Sequence, residues 1–401
     1  MSLEVKNFNY KITLVLLFFI LNSYLVLSFK LPIFLLKANL LLFLFTITLF
    51  YIKYLKYNFP LKLYFLLIIL LCLGTAATNW DTRSIYLFHT KRIFFDESIY
   101  SVVDNYASFS HNDYPLLVPA FSSSFAFLVG YWHEIFPKSA FTLMLLPPLI
   151  FLSSYLNMKK YLIFLSIVIF FLGQQLFNGA VDGIVSLYFI VCCFCFYQIF
   201  ISSEQNREKI FFIITFLFSV SLTLIKNEGF AMLFVIFSTV LIMKLFTGDF
   251  LKYLKKIFLL SLAFIPMFLW KVFCLKNSLS NDYINIGFFD QIIPRLTSIE
   301  NYKLFFYYFI FSNEKVLIAI FAFLISFYLN LEKKLFYFSI LIFFLYFTIL
   351  FLVHFSTPLE FVHQLQTSSF RLVKTFTLFL GFFANLEFFL LSSFLFRCRL
   401  L

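Results

Sequence analysis

Residues 12–29 read ITLVLLFFILNSYLVLSF, and after Lys30 the chain resumes with LPIFLLKANLLLFLFTITLFYI over residues 31–52. Neither run alternates polar with apolar side chains. As a helix rising about 1.5 Å per residue, each is of the length needed to cross a hydrocarbon layer of roughly 30 Å. Backbone N–H and C=O groups in lipid must pair within their own segment, so such runs are expected as helices and not as a membrane barrel. The first run is too long for a secretory leader and lacks a small-residue cleavage site; it is expected to persist as a helix.

The pattern continues to the end of the chain. Further runs at 61–78, 139–156, 161–176, 183–201, 211–226, 229–246, 257–275, 315–331, 335–354 and 373–395 bring the expected spans to twelve. Of the 401 residues, 62% are hydrophobic and 12% charged, against about 45–50% and 25% in soluble domains. A water-soluble fold is excluded on these numbers. The expected class is an all-α polytopic membrane protein, one transmembrane domain over 1–401, with no internal repeat and no polar stretch long enough for a separate domain.

The net charge of +12 does not point to nucleic acid, because the basic residues come in twos and threes between apolar runs. They read as a topology signal. With Lys6 and Lys11 cytoplasmic, the same side receives Lys53, Lys56, Lys62, Lys159, Lys160, Arg207, Lys209, Lys252, Lys255, Lys256, Lys333, Lys334, Arg397 and Arg399. Most of the 19 acidic residues and all five His then fall on or near the non-cytoplasmic side. The outer segments are 79–138, expected to carry the active loop and its interfacial helices, together with 276–314 and 355–371. Residues 116–136 are apolar enough to cross, but a crossing there would put Lys159 and Lys160 outside; the segment is read as a helix lying at or dipping into the outer interface. The six Cys sit in or beside apolar runs and read as small packing residues.

Four outer motifs carry chemistry. Asp81 leaves the third span in NWDTRSIYLFHTKRIFFDESIY, where Ile85, Phe88, Arg92 and Phe95 could lie along the membrane surface; a helix cap or ion pair explains this carboxylate as readily as a catalytic task. His111, Asp113 and Tyr114 in HNDYP supply a base, an anion and a hydroxyl, with Pro115 and Pro119 stiffening the turn, although plain turns share that composition. Asp182 lies in NGAVDGIVSLY among glycines at a helix entry, where an N-cap is the bland alternative. Lys226 and Glu228 form a tight turn, LIKNEG, and could simply neutralise each other. In the last segment, STPLEFVHQLQTSSFRLVKTF, Ser368, Arg371 and Lys374 lead into the final helix; Arg371 runs against the topology bias and suits a phosphate.

In this order the motifs resemble the integral-membrane glycosyltransferases of the GT-C superfamily, in the bacterial branch that uses polyprenyl-phosphate sugars. Asp81 is similar to the acidic residue that follows an early span there, HNDYPLLVP to the end of the same loop, Asp182 to a second acidic position, LIKNEG to a Lys-Asn-Glu-Gly turn, and HQLQTSSFRL to the late outer loop. Asp96 and Glu97 form a rival acidic pair in the first loop, and the chain carries an additional span before that loop. The resemblance implies transfer of a sugar from a polyprenyl-phosphate donor to a lipid or glycan acceptor on the non-cytoplasmic face of the inner (plasma) membrane. It assigns catalysis to Asp81, Asp113 and Asp182, and substrate or phosphate binding to His111, Tyr114, Lys226, Glu228, Ser368 and Arg371. The His and carboxylates are compatible with a divalent cation, which their spacing does not demand. A transporter or flippase of lipid-linked glycans, or a surface-polysaccharide polymerase or ligase, is the alternative. Acids kept in outer loops, away from the bilayer midplane, weigh against transport.

Overall fold

The computed structural model describes residues 3–53, 59–202, 209–279, 288–328 and 333–398; Lys56, Arg207, Asp282 and Arg399 lie outside them. Among the described residues every regular element is helical. The chain opens with α1 (Leu3–Ser28), α2 (Ile33–Ile52) and α3 (Phe59–Gly74). A polar segment follows, with a wide helical turn at Thr82–Tyr86 and α4 (Leu87–Asp96), before α5 (Leu117–Val129). α6 (Ile135–Leu143) and α7 (Leu146–Ser153) run on as one apolar stretch into α8 (Met158–Leu172), α9 (Asp182–Phe196), α10 (Lys209–Ile225) and α11 (Asn227–Phe246). The rest comprises α12 (Phe250–Ser261), α13 (Ile265–Lys276), α14 (Phe288–Thr297), α15 (Ile299–Phe306), α16 (Glu314–Tyr328), α17 (Lys333–Ser356) and α18 (Phe361–Cys398).

The twelve expected runs fall largely on helices among the described residues, with 139–156 divided between α6 and α7 and 257–275 between α12 and α13. Among the described residues eight stretches are long and apolar enough to cross a membrane, or nine if the pair Ile299–Phe311 and Glu314–Ser326, bent by 74°, is one span. The chain is therefore a polytopic helical membrane protein. α3 and α10 are shorter apolar helices.

α9 forms the centre. From Gly183 to Phe196 every residue is buried, and the helix packs against α7, α10, α11 and α18. Without a hydrophobic drive between helices in lipid, close packing depends on small side chains, and Gly183, Ser186, Cys192, Cys193 and Cys195 provide them. Cys72, Cys192, Cys193, Cys195 and Cys274 are buried and unbridged. α1 is no appendage: it packs on α2, α5, α7 and α10, with Tyr10, Leu16, Leu17 and Ile20 fully buried.

The segment 116–136, expected as a helix lying at or dipping into the outer interface, contains α5, which is packed within the protein. α5 is enclosed by α1, α2, α4 and α6, and its residues from Leu117 to Phe127 are buried. Its thirteen residues span about 20 Å, short of the hydrocarbon thickness. Its hydroxyls stay satisfied inside: Ser122 donates to the Pro137 carbonyl at 2.7 Å, and Ser123 and Ser124 donate to their own helix. Ile85, expected at the surface, is likewise buried, whereas Phe95 is exposed.

Several of the basic residues expected on the cytoplasmic side are held by local contacts. Lys62 donates to the Lys53 carbonyl, Lys53 stands over the Phe8 ring and Lys6 over Tyr155. The Lys160 carbonyl accepts from Asn385, fourteen residues and about 21 Å along α18 from Arg371.

The α10–α11 hairpin depends on Gly229, where a Cβ would stand 1.9 Å from the Leu222 carbonyl oxygen, while one at Gly74 would meet nothing within 4 Å. Gly229→Ala is expected to cost roughly 3 kcal/mol by overpacking and to lower the heat tolerance of the detergent-solubilised protein, with Gly74→Ala unchanged. A Gly229→Ala protein as heat-stable as wild type would contradict this packing.

Candidate functional site

Five charged side chains from four distant parts of the sequence meet where α9, α11 and α18 begin and the segment after α3 returns. Lys226 is the hub. Its Nζ lies 2.9 Å from Asp182 Oδ1 and 2.9 Å from Glu228 Oε1, and the ammonium is almost wholly buried. Burial opposes its charge, but Asp182 and Glu228 outweigh that penalty and hold the ammonium well above its ordinary pKa. Asp182 sits in the first turn of α9, and its carboxylate accepts from Lys226.

Arg371, in the third turn of α18, donates through Nη1 to Asp81 Oδ2. Asp81 makes no capping bond to the turn that follows it, so the ion pair is its role in this state. Burial is the largest influence on its carboxyl and raises the pKa above the usual range despite Arg371 and Lys226. Asp182 and Glu228 act on Asp81 as well, and Arg371 feels all three carboxylates, which makes one electrostatic unit of both pairs. Lys374, one turn beyond Arg371, adds a third cation within reach of Asp182.

Local backbone geometry permits this approach. Gly179 has φ +84°, and a Cβ there would lie 2.5 Å from the Thr82 methyl, so only glycine lets the loop before Asp182 touch the turn after Asp81. Gly183 has ordinary space around it.

Asp113 stands apart. Lys271 Nζ is 2.8 Å from its Oδ2, Asn227 donates to the same oxygen at 2.9 Å, and Trp270 Nε1 donates to its carbonyl at 2.9 Å. A carboxylate so engaged, nearly fully buried, anchors the end of the first loop to α13 and to the 226–228 turn. Tyr114 is buried and within electrostatic reach of Lys226 and Arg371. His111 stacks on Tyr114, ring centroids 4.8 Å apart. Ser368 does not join the cluster: its hydroxyl lies 2.7 Å from His354 Nε2 and 2.6 Å from the Gln364 carbonyl. Asp96 and Glu97 are exposed; Arg92 reaches Asp96 at 3.7 Å and holds Asp104 through both guanidinium nitrogens. Of the competing carboxylates in that loop, Asp81 is the one in the cluster. His89 is a neutral brace, its pKa pushed down to about 4 by burial, with Nε2 2.9 Å from the Ser110 carbonyl.

The donor set does not fit a divalent cation. Asp81, Asp182 and Glu228 each face a cationic side chain, and among the described residues no group of three His, Cys, Asp or Glu could hold a metal ion.

An apolar cavity of about 640 Å³ lies between α8, α16 and α18, lined by Ile167, Phe170, Ala322, Gly381 and Asn385 among others. Lys315 donates at 2.6 Å to the carbonyl of Phe170, one of the lining residues, and in turn feels Lys374. Lys374, Gly381 and Asn385 share a face of α18, seven and eleven residues apart. A cationic step thus separates the charged cluster from an apolar groove. Sequence reasoning missed Lys271, Trp270 and Lys315; an ionisable residue such as Lys271 inside an apolar run was the available signal.

No protein-family model, curated protein or solved structure matches this chain. Functional inference therefore rests on geometry and chemistry.

Removing the hub leaves two carboxylates buried without their cation, so Lys226→Met is expected to destabilise by about 3–5 kcal/mol. Neutralising the partners as well, in Lys226→Met/Asp182→Asn/Glu228→Gln, is expected to restore most of the loss in a thermal unfolding midpoint. Equal midpoints for the single variant and wild type would show that the cluster is not buried as described.

Proposed function

We propose that the chain is a membrane glycosyltransferase that moves a sugar from a polyprenyl-phosphate donor to a lipid or glycan acceptor at the non-cytoplasmic face of the inner membrane. In this reading all twelve apolar runs cross, the shorter α10 within the bundle and α3 at its edge, and the loops rich in Lys and Arg face the cytoplasm. The observation that carries it is the joining of a mixed-charge cluster to an apolar groove by Lys374 and Lys315. A substrate with an anionic head and a long hydrocarbon tail matches that sequence of surfaces, and neither half alone accounts for it.

Asp81 is the base. With Arg371 bound to it, its carboxylate is occupied; an arriving phosphate competes for the guanidinium, whose fork suits phosphate oxygens, and releases Asp81 toward the acceptor hydroxyl. Arg371, Lys226 and Lys374 then oppose the charge that develops on the leaving phosphate as the bond from its oxygen to the anomeric carbon breaks. Asp182 and Glu228 hold Lys226 in place. The acceptor hydroxyl gives its proton to Asp81 and its oxygen to the anomeric carbon.

In proteoliposomes supplied with a polyprenyl-phosphate sugar and an acceptor extract, wild type is expected to break the sugar–phosphate bond. Asp81→Asn should lose about 10²–10⁴-fold of that rate with normal membrane insertion. Movement of intact lipid-linked sugar without bond cleavage would make the chain a flippase instead, and full activity in Asp81→Asn would remove the assigned base. Because a base must be ionised, the raised pKa of Asp81 sets the acid limb of the rate profile above the ordinary carboxylate value of about 4; Arg371→Gln, lacking the opposing cation, moves the limb of its residual activity further up in pH. Ala322→Trp, which fills the groove, is expected to raise KM for a long-chain donor and to spare kcat.

A further inference from the structure

Among the described residues several oxygens around the charge cluster are buried and meet no partner; besides the Tyr346 hydroxyl and Asn227 Oδ1, three of them are the hydroxyls of Thr82 and Tyr86 and Oε2 of Glu228. Thr82 and Tyr86 open and close the helical turn that follows Asp81, and both are buried, Tyr86 to 2% exposure. Tyr86 lies within electrostatic reach of Lys226, Glu228, Asp182 and Asp81, at the end of the turn whose first residue, Thr82, meets Gly179 ahead of Asp182. The ring itself needs no hydroxyl: it packs edge-on against Phe141, centroids 6.2 Å apart, as a phenylalanine would. A buried phenol with no partner is a cost that packing alone does not repay.

The three oxygens are complementary in kind. Burial, before any neighbouring charge, keeps the Tyr86 proton in place, so the phenol offers a donor and an acceptor and no anion. Glu228 gives Oε1 to Lys226 and leaves Oε2 as an acceptor. An inorganic anion would satisfy the two hydroxyls and be repelled by Oε2. A polyhydroxylated ligand satisfies all three, donating to Glu228 and exchanging hydrogen bonds with Tyr86 and Thr82.

We infer that Tyr86, with Thr82 and Glu228, forms the subsite that grips the hydroxyl-bearing sugar of the substrate, Tyr86 contacting it directly. The inference rests on the glycosyl reading above and narrows it: recognition of the sugar is assigned to the turn behind Asp81, while the phosphate and tail are left to Arg371, Lys374 and the groove. Tyr188 provides a matched control, because its hydroxyl is also buried without a partner, yet its electrostatic neighbour is Cys192 and not the charge cluster.

The test measures affinity of the full-length protein in detergent for polyprenyl phosphate alone and for a panel of polyprenyl-phosphate hexoses and pentoses, in wild type, Tyr86→Phe and Tyr188→Phe. Wild type should bind at least one sugar-bearing lipid more tightly than the bare phosphate. Tyr86→Phe should keep the wild-type unfolding midpoint and its affinity for bare polyprenyl phosphate while losing roughly three- to tenfold of affinity for the sugar-bearing lipid; Tyr188→Phe should lose none. A Tyr86→Phe protein that keeps the whole sugar-dependent gain overturns the subsite and leaves the glycosyl reading standing. A lowered midpoint with both lipids weakened equally makes Tyr86 a packing residue and also overturns it. A wild type that never distinguishes sugar-bearing from bare lipid overturns the subsite together with the reading beneath it.

Discussion

A charge withdrawn from water must find an opposite charge nearby, and in this protein Lys226 is where that requirement is met. The ammonium is buried between Asp182 and Glu228, and the desolvation of three ions is tolerable only because they share one another's field. The rest of the bundle follows from keeping that contact. α9 must begin beside the α10–α11 turn, which needs the close approach at Gly229; the loop ahead of Asp182 must pass against Thr82, which needs Gly179. Once Asp81 is brought in by that contact, Arg371 completes its pairing and fixes where α18 enters.

A second anchor, chemically distinct, holds the long polar segment in place. Asp113 is bound by Lys271, Asn227 and Trp270, and Asn227 is flanked by Lys226 and Glu228 of the first cluster. Three consecutive residues therefore tie two carboxylate centres together. Movement of the first loop would be felt at Lys226, and the route is a short run of backbone with no need of a long chain of contacts.

The helices were legible because hydropathy is a one-dimensional property: a run of apolar residues long enough to cross lipid forms a helix whatever its neighbours are. The enclosure of α5 was not, since a mostly apolar helix of thirteen residues looks alike on a surface and inside a bundle; only Ser122, Ser123 and Ser124 hint that the helix touches protein on several sides. Within the site, Lys226, Glu228, Asp182, Asp81 and Arg371 could be singled out because charge at a span boundary is costly without a partner. Their pairing could not, because Asp81 and Arg371 are 290 residues apart and composition carries no distance. Ser368 illustrates the converse: near Arg371 in sequence, it turns its hydroxyl back to its own helix and to His354. Tyr86 escaped notice as an aromatic in a chain with 23 Tyr and 67 Phe, where one more ring carries no signal until its hydroxyl is found without a partner.

Everything proposed for the cluster requires that it open to the non-cytoplasmic compartment, and the turn before Asp182 reports that directly. A single cysteine at Asn178, in a background with the native cysteines replaced, can be challenged with a membrane-impermeant maleimide in intact cells and in inside-out vesicles. Labelling in cells, with protection in inside-out vesicles, is the result this account requires. Labelling confined to the inside-out vesicles would place the charges on the cytoplasmic side and contradict it.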